Sequence, residues 1–249
     1  MNSPTKFALS MAIIFSLLGQ GKMVAQSDEG QAGNGSSAGK KGPQFTCLYW
    51  EGLPEEDLYY RLGEEFVLLQ FSKEIRSKGF SLKGMSVFEL YRDAQKPVEG
   101  KPPYDKLTQA KIPTGTSQVL FVVIPFNDEG KTTYRIVAMD DSLSAFPRGT
   151  FRFANFTSQA LLVKFAGEVQ QLPASKMTVM SCKPGGAGGF RPFLIGDAKG
   201  RQVFGTRLFG QASGRELVFI SPPERKGSTI PRVKFISQLI GKPVVKPSQ

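Results

Sequence analysis

Histidine does not occur in the 249 residues, cysteine occurs twice and tryptophan once. Without histidine there is no Ser-His-Asp or Cys-His couple, no HExxH zinc helix and no histidine-ligated haem. The sequence also holds no CxxC pair and no GxSxG elbow, so the familiar nucleophile and redox motifs are missing together. Long apolar runs are scarce: beyond the N-terminal region the longest is Val119–Ile124. That is strand-sized, against the ~18 apolar residues of a membrane helix. These gaps point away from catalytic, metal and cofactor sites, and none is assigned.

The first 26 residues have the layout of a secretory signal: Lys6, an apolar run from Phe7 to Leu18, then a polar stretch to Ala25 and Gln26. Export to the periplasm or cell surface is therefore expected, with no transmembrane segment left after cleavage. Residues 27–43, SDEGQAGNGSSAGKKGP, contain no aromatic and no branched aliphatic residue and are expected to be a disordered linker. An oxidising compartment makes a Cys47–Cys182 disulfide the expected use of the two thiols. Such a bridge would close a 135-residue loop, with a chain-entropy contribution of about 5 kcal/mol. Two buried free thiols are the alternative.

From Phe45 onward, short apolar runs alternate with Gly, Pro, Asn and Asp, which is the pattern of sheets. Strands are predicted at 45–50, 58–62, 65–71, 86–92, 119–125, 133–139, 150–156, 161–166, 177–182, 190–195, 201–209 and 215–220. Phe151 and Phe153 share one face, as do Leu161, Val163 and Phe165, with Arg152 and Lys164 opposite. The turns 127–130 and 197–200 end in glycine, which supplies the positive φ a hairpin needs. Short helices are expected only around 55–57 and 236–240. The fold class is all-β: an antiparallel β-sandwich, divided into two tandem, closely docked sandwich-like units at 44–141 and 142–220. A basic, Pro-rich extension occupies 221–249. No internal repeat is visible.

The segment FPRGTFRFANFTSQALLVKFAGEVQQLPASKMTV, residues 146–179, strings together a Pro-Gly turn, a strand, an Asn-Phe-Thr turn, a second strand and a Leu-Pro turn to a third. In this it resembles exported bacterial β-sandwich proteins of the immunoglobulin-like and cupredoxin-like kind. The resemblance implies a fold class and no activity, and cupredoxin copper does not transfer because its histidine ligands are missing.

Charge is unevenly placed. Residues 27–182 are neutral, whereas 183–249 carry 12 basic groups against Asp197, Glu216 and Glu224. Arg201, Arg207, Arg215, Arg225, Lys226, Arg232 and Lys234 are the candidate residues for an anionic partner. For an exported chain that partner is an anionic envelope component or another envelope protein. Nucleic acid is not expected, since no binding motif accompanies the charge. Asp140-Asp141 reads as a turn cap, and Glu55-Glu56-Asp57 and Glu64-Glu65 as solvated surface. Trp50, Tyr59 and Tyr60, beside Glu51, form a candidate glycan platform. Gly185–Gly189 is followed by strand-like sequence, so it reads as a connection rather than a phosphate loop. The leading expectation is a non-catalytic envelope binding or scaffolding protein. The alternative is a carbohydrate-binding module or weakly glycan-active enzyme.

Overall fold

The computed structural model describes residues 42–95, 99, 103–128, 130–182, 189–225 and 227–239. The expected signal segment (1–26), nearly all of the expected linker (27–43), Lys226, most of the glycine run and the last ten residues lie outside them. Sixteen strands run through the described residues. They are β1 (Gln44–Tyr49), β2 (Leu58–Leu62), β3 (Glu65–Leu68), β4 (Phe80–Ser81), β5 (Val87–Asp93), β6 (Tyr104–Lys111), β7 (Gln118–Asp128) and β8 (Lys131–Asp140), followed by β9 (Thr150–Asn155), β10 (Leu161–Phe165), β11 (Glu168–Leu172), β12 (Met177–Ser181), β13 (Gly189–Gly196), β14 (Gln202–Gly210), β15 (Gly214–Ser221) and β16 (Arg232–Leu239).

Four sheets result, ordered β4-β1-β7-β8, β3-β2-β5-β6, β12-β9-β15-β16 and β11-β10-β13-β14. The last two orders reproduce the first two with every strand advanced by eight. The protein is thus two sandwiches of the same eight-strand topology. In each, the first strand pairs in parallel with the seventh, β1 with β7 and β9 with β15, and the remaining pairs are antiparallel. The sequence shows no repeat because topology requires only apolar patterning and turns, which many residue choices satisfy.

Alternation along the strands stacks the sheets in four layers. Phe45, Cys47, Tyr49, Val119, Phe121 and Val123 point into the first sandwich, against Leu58, Tyr60, Phe88 and Leu90. Their alternates Leu48, Leu120, Val122 and Ile124 face Ala154, Leu217 and Phe219 of the second sandwich, with Trp50, Met139 and Phe146 between. Phe151, Phe153, Val218 and Ile220 then cover Val163, Phe165, Phe193 and Ile195 in the second sandwich's own core. Each inner sheet is buried on both faces. That accounts for the unbroken apolar runs of β7 and β15, and parallel pairing is found where both faces are covered. The outer strands β2 and β10 face water on one side and alternate instead.

All twelve predicted strands are present, while β4, β6, β11 and β16 escape the sequence reading. β6 is polar on its outer face, β11 has only Val169 and Leu172 as apolar residues, one on each face, and β4 has two residues. β16 corrects two expectations. Residues 232–239 form neither a helix nor an extended arm but an edge strand paired with the whole of β15, since a short apolar stretch fits either period until a partner edge decides. Residues 55 and 56 form a bend in the β1–β2 loop and residue 57 is irregular, in place of a helix. The predicted hairpin turns stand: Gly130 and Gly200 have φ of 81° and 79°.

The disulfide is not formed; both cysteines are free. Cys47 points into the first core and Cys182 packs on the second. Each therefore lies on the far side of its inner sheet from the other. Packed sheets are ~10 Å apart, beyond the ~7 Å Cα separation a disulfide spans. Burial pushes the Cys47 thiol pKa well up, leaving it a small hydrophobe.

The segment joining the sandwiches is clamped by charge. Asp141 receives Arg76 from the first sandwich and Arg215, at 2.8 Å, from the second. Arg215 also donates to the carbonyls of Asp141 and Phe146, at 2.8 and 3.0 Å. Arg152 donates to those of Asp140 and Ala145, at 2.7 and 3.0 Å. The guanidinium carbons of Arg152 and Arg215 lie 4.4 and 4.8 Å from the centre of the buried Phe146 ring. Asp140 caps the turn, accepting from the Ser142 amide at 2.9 Å.

Candidate functional site

The aromatic platform is not assembled. Trp50 is buried between the sandwiches, its ring 5.2 Å from Phe219 and 5.5 Å from Phe156. Tyr60 lies in the first core beside Phe45. Only Tyr59 reaches the outer face, 4.9 Å from the Tyr104 ring. Consecutive strand residues point to opposite faces, so adjacency of Tyr59 and Tyr60 in sequence separates them in space.

The basic candidates do not form one patch either. Arg215 is buried in the clamp. Arg232 is paired with Glu51 at 2.7 Å. Lys234 donates to the Trp50 carbonyl at 2.6 Å and lies 3.8 Å from Glu74. Arg201 is paired with Asp197 at 2.7 Å. These cations are held by internal partners, so the charge count overstates what a ligand would meet. Arg207 and Arg225 are exposed.

Arg207 belongs to a distinctive surface, the outer face of β11-β10-β13-β14. Strand register aligns Val169, Lys164, Leu194 and Gly205 in one row, Pro192 with Arg207 in another and Phe190 with Phe209 in a third. Phe190 is 65% exposed and Val169 59%. The Phe190 and Phe209 rings are 5.2 Å apart. Among the described residues, Lys164 and Arg207 are the charged residues of this face, and none of its side chains is a carboxylate.

The loops build two clefts. In the first sandwich the β1–β2 loop, the end of β5 and the β7–β8 hairpin enclose about 610 Å³. Glu56 lies at its base: Tyr134 donates to Oε1 at 2.7 Å and Arg92 approaches Oε2 at 3.5 Å. Burial, then the Glu56 carboxylate, push the Tyr134 phenol up, and burial likewise raises Tyr49, so both phenols keep their protons at neutral pH. Glu55 and Lys131 stand exposed at the rim.

In the second sandwich the β9–β10, β13–β14 and β15–β16 loops enclose about 360 Å³. Buried Asn155 shapes this cleft, accepting from the Thr157 amide and hydroxyl at 2.9 and 2.7 Å and donating to the Gln159 carbonyl at 2.7 Å. The Asn155-Phe-Thr157 pattern is therefore loop architecture. Asp197 Oδ1 accepts the Lys199 and Arg201 amides at 2.9 and 3.0 Å, and Oδ2 accepts Arg201 Nε at 2.8 Å. These bonds, that from the Arg201 side chain foremost, hold the Asp197 carboxyl below its usual range. Glu55 and Glu56 read as solvated surface from sequence, because no local signal announces that Tyr134 meets Glu56 from 78 residues away. Among the described residues no cluster of three or more potential metal-binding side chains occurs. No protein-family model and no curated protein matches the chain.

Proposed function

We propose that the protein is an exported, non-catalytic binding protein of the bacterial cell envelope that docks an acidic surface of another envelope protein on the outer face of its second sandwich. The carrying observation is the exposed Phe190–Phe209 pair beside Lys164 and Arg207 on a sheet face that has no carboxylate among the described residues. Exposed aromatics with an adjacent arginine are the composition of interface centres, and two unopposed cations favour an acidic partner. A flat sheet suits a protein face better than a bilayer, which is usually entered by protruding or amphipathic elements. The N-terminal charge-then-apolar pattern supports export.

The test is photocrosslinking in cells from position 209 of the full chain. A discrete protein adduct that disappears in Lys164→Glu/Arg207→Glu supports the reading. Lipid adducts, or cosedimentation with phosphatidylglycerol vesicles, would replace it with membrane binding. The absence of both signals would overturn it.

A further inference from the structure

The two clefts occupy the same place in the duplicated topology. Advancing β1–β2, β5–β6 and β7–β8 by eight strands gives β9–β10, β13–β14 and β15–β16, the loops of the second cleft. They also open side by side. Glu51 on the rim of the first is bonded to Arg232, which directly follows Pro231 on the rim of the second. Behind this pair the Trp50 and Phe156 rings touch, each the first residue after the opening strand of its sandwich.

Their chemistry is matched as well. Each has a carboxylate held by an arginine, Glu56 with Arg92 and Asp197 with Arg201. In the first, Glu51, Glu55 and Glu56 are balanced by Arg92, Lys131 and the bridging Arg232; in the second, Asp197 is balanced by Arg201. A lining with no net charge offers little attraction to an ion, while its fixed donors and acceptors suit hydroxyls. Arg92, whose side chain is 23% exposed, also lines the first cleft. Apolar walls face these polar groups, Leu53 and Pro125 in one cleft and Pro222 and Pro223 in the other. A sugar has this same division, hydroxyl edges and C–H faces. Both volumes fall within the ~300–1,000 Å³ of small-molecule sites.

We propose that the twin clefts are two subsites of one saccharide-binding surface, which takes a neutral oligosaccharide running from one sandwich to the other across the Glu51–Arg232 bridge. This is independent of the docking face on the second sandwich. Two linked subsites make affinity rise with chain length, because engaging the second is intramolecular.

Calorimetry on the full chain tests this with cello-, chito- and malto-trisaccharides and the matching hexasaccharides. In at least one series the hexasaccharide binds about tenfold or more tightly than the trisaccharide. Glu56→Gln in one cleft and Arg201→Ala in the other each remove that gain. Lys131→Ala, on the exposed rim, weakens binding without touching the core. Lys164→Glu/Arg207→Glu leaves all of this unchanged, which keeps failure of the docking reading separate. The proposal is overturned if no saccharide saturates by about 10 mM, if length brings no gain, or if the cleft variants bind like the parent. Saturable binding of glycylglycine or inorganic phosphate in the clefts, in place of sugars, also overturns it.

Discussion

Removing the Asp141 carboxylate tests the clamp between the sandwiches most directly. Its side chain is 6% exposed, and those of Arg76 and Arg215 are 9% and 2% exposed. Arg76 reaches Asp141 through Nη1, and its Nε and Nη2 are buried with no hydrogen-bond partner. Asp141→Ala therefore leaves two buried guanidinium groups without their counter-ion, and breaking a buried pair costs about 3–5 kcal/mol. Arg215 retains the Asp141 and Phe146 carbonyls and Gln238, which favours the lower end of that range. Desolvation already pulls Arg215 down to about 10, against the opposing charge of Asp141. Loss of Asp141 removes that opposition. For a domain of this size each kcal/mol corresponds to about 2–4 °C, so thermal unfolding should fall by about 6–20 °C. Urea denaturation followed by Trp50 fluorescence reads the same loss, because that ring sits between the sandwiches. Replacing the set together, Arg76→Met/Asp141→Leu/Arg215→Met, should recover most of the stability, since buried triads are often no better than apolar residues of similar volume. A cost below about 1 kcal/mol for Asp141→Ala, the level of a surface pair, would refute the reasoning.

Three further outcomes are expected. Phe219→Ala, at the ring cluster with Trp50 and Phe156, should cost about 3–5 kcal/mol in urea unfolding; a loss near zero would mean the sandwiches are not held by this layer. A reducing agent should leave the unfolding midpoint unchanged and a non-reducing digest should show no linked Cys47–Cys182 peptides, whereas a midpoint that falls on reduction would establish a bridge. Acid lability has a defined sign at Asp140: burial alone would raise its carboxyl, but hydrogen bonds from Ser142 and Thr116 outweigh this and hold it below 3.8. The unfolded chain then takes up the proton first, so the stabilisation is complete above that value and lost as pH falls through the lower folded one. Asp140→Asn should flatten the acid limb of the stability profile, below about pH 5, and an unchanged slope there would dismiss the contribution.

Elements whose cause is local can be read directly from the residues. Period-two alternation marks β2, β9 and β10, and Asn127–Gly130 and Asp197–Gly200 mark the β7–β8 and β13–β14 turns through an Asn or Asp side chain and a terminal glycine. The uninterrupted Val119–Ile124 run was visible too. That it is covered on both faces by two sandwiches became legible only when the second inner sheet was in place. Tertiary structure alone decided everything that depends on which face a residue takes and what lies across from it. It sent Trp50 and Tyr60 inward, buried Arg215 against Asp141, and drew Arg232 and Lys234 onto the first sandwich. It kept Cys47 and Cys182 on the far sides of their inner sheets. It also revealed the eight-strand duplication and, with it, the matched clefts. Composition counts charges and aromatic rings, but hydrogen bonds and burial are settled between residues far apart in the chain, as between Glu51 and Arg232 or Glu56 and Tyr134.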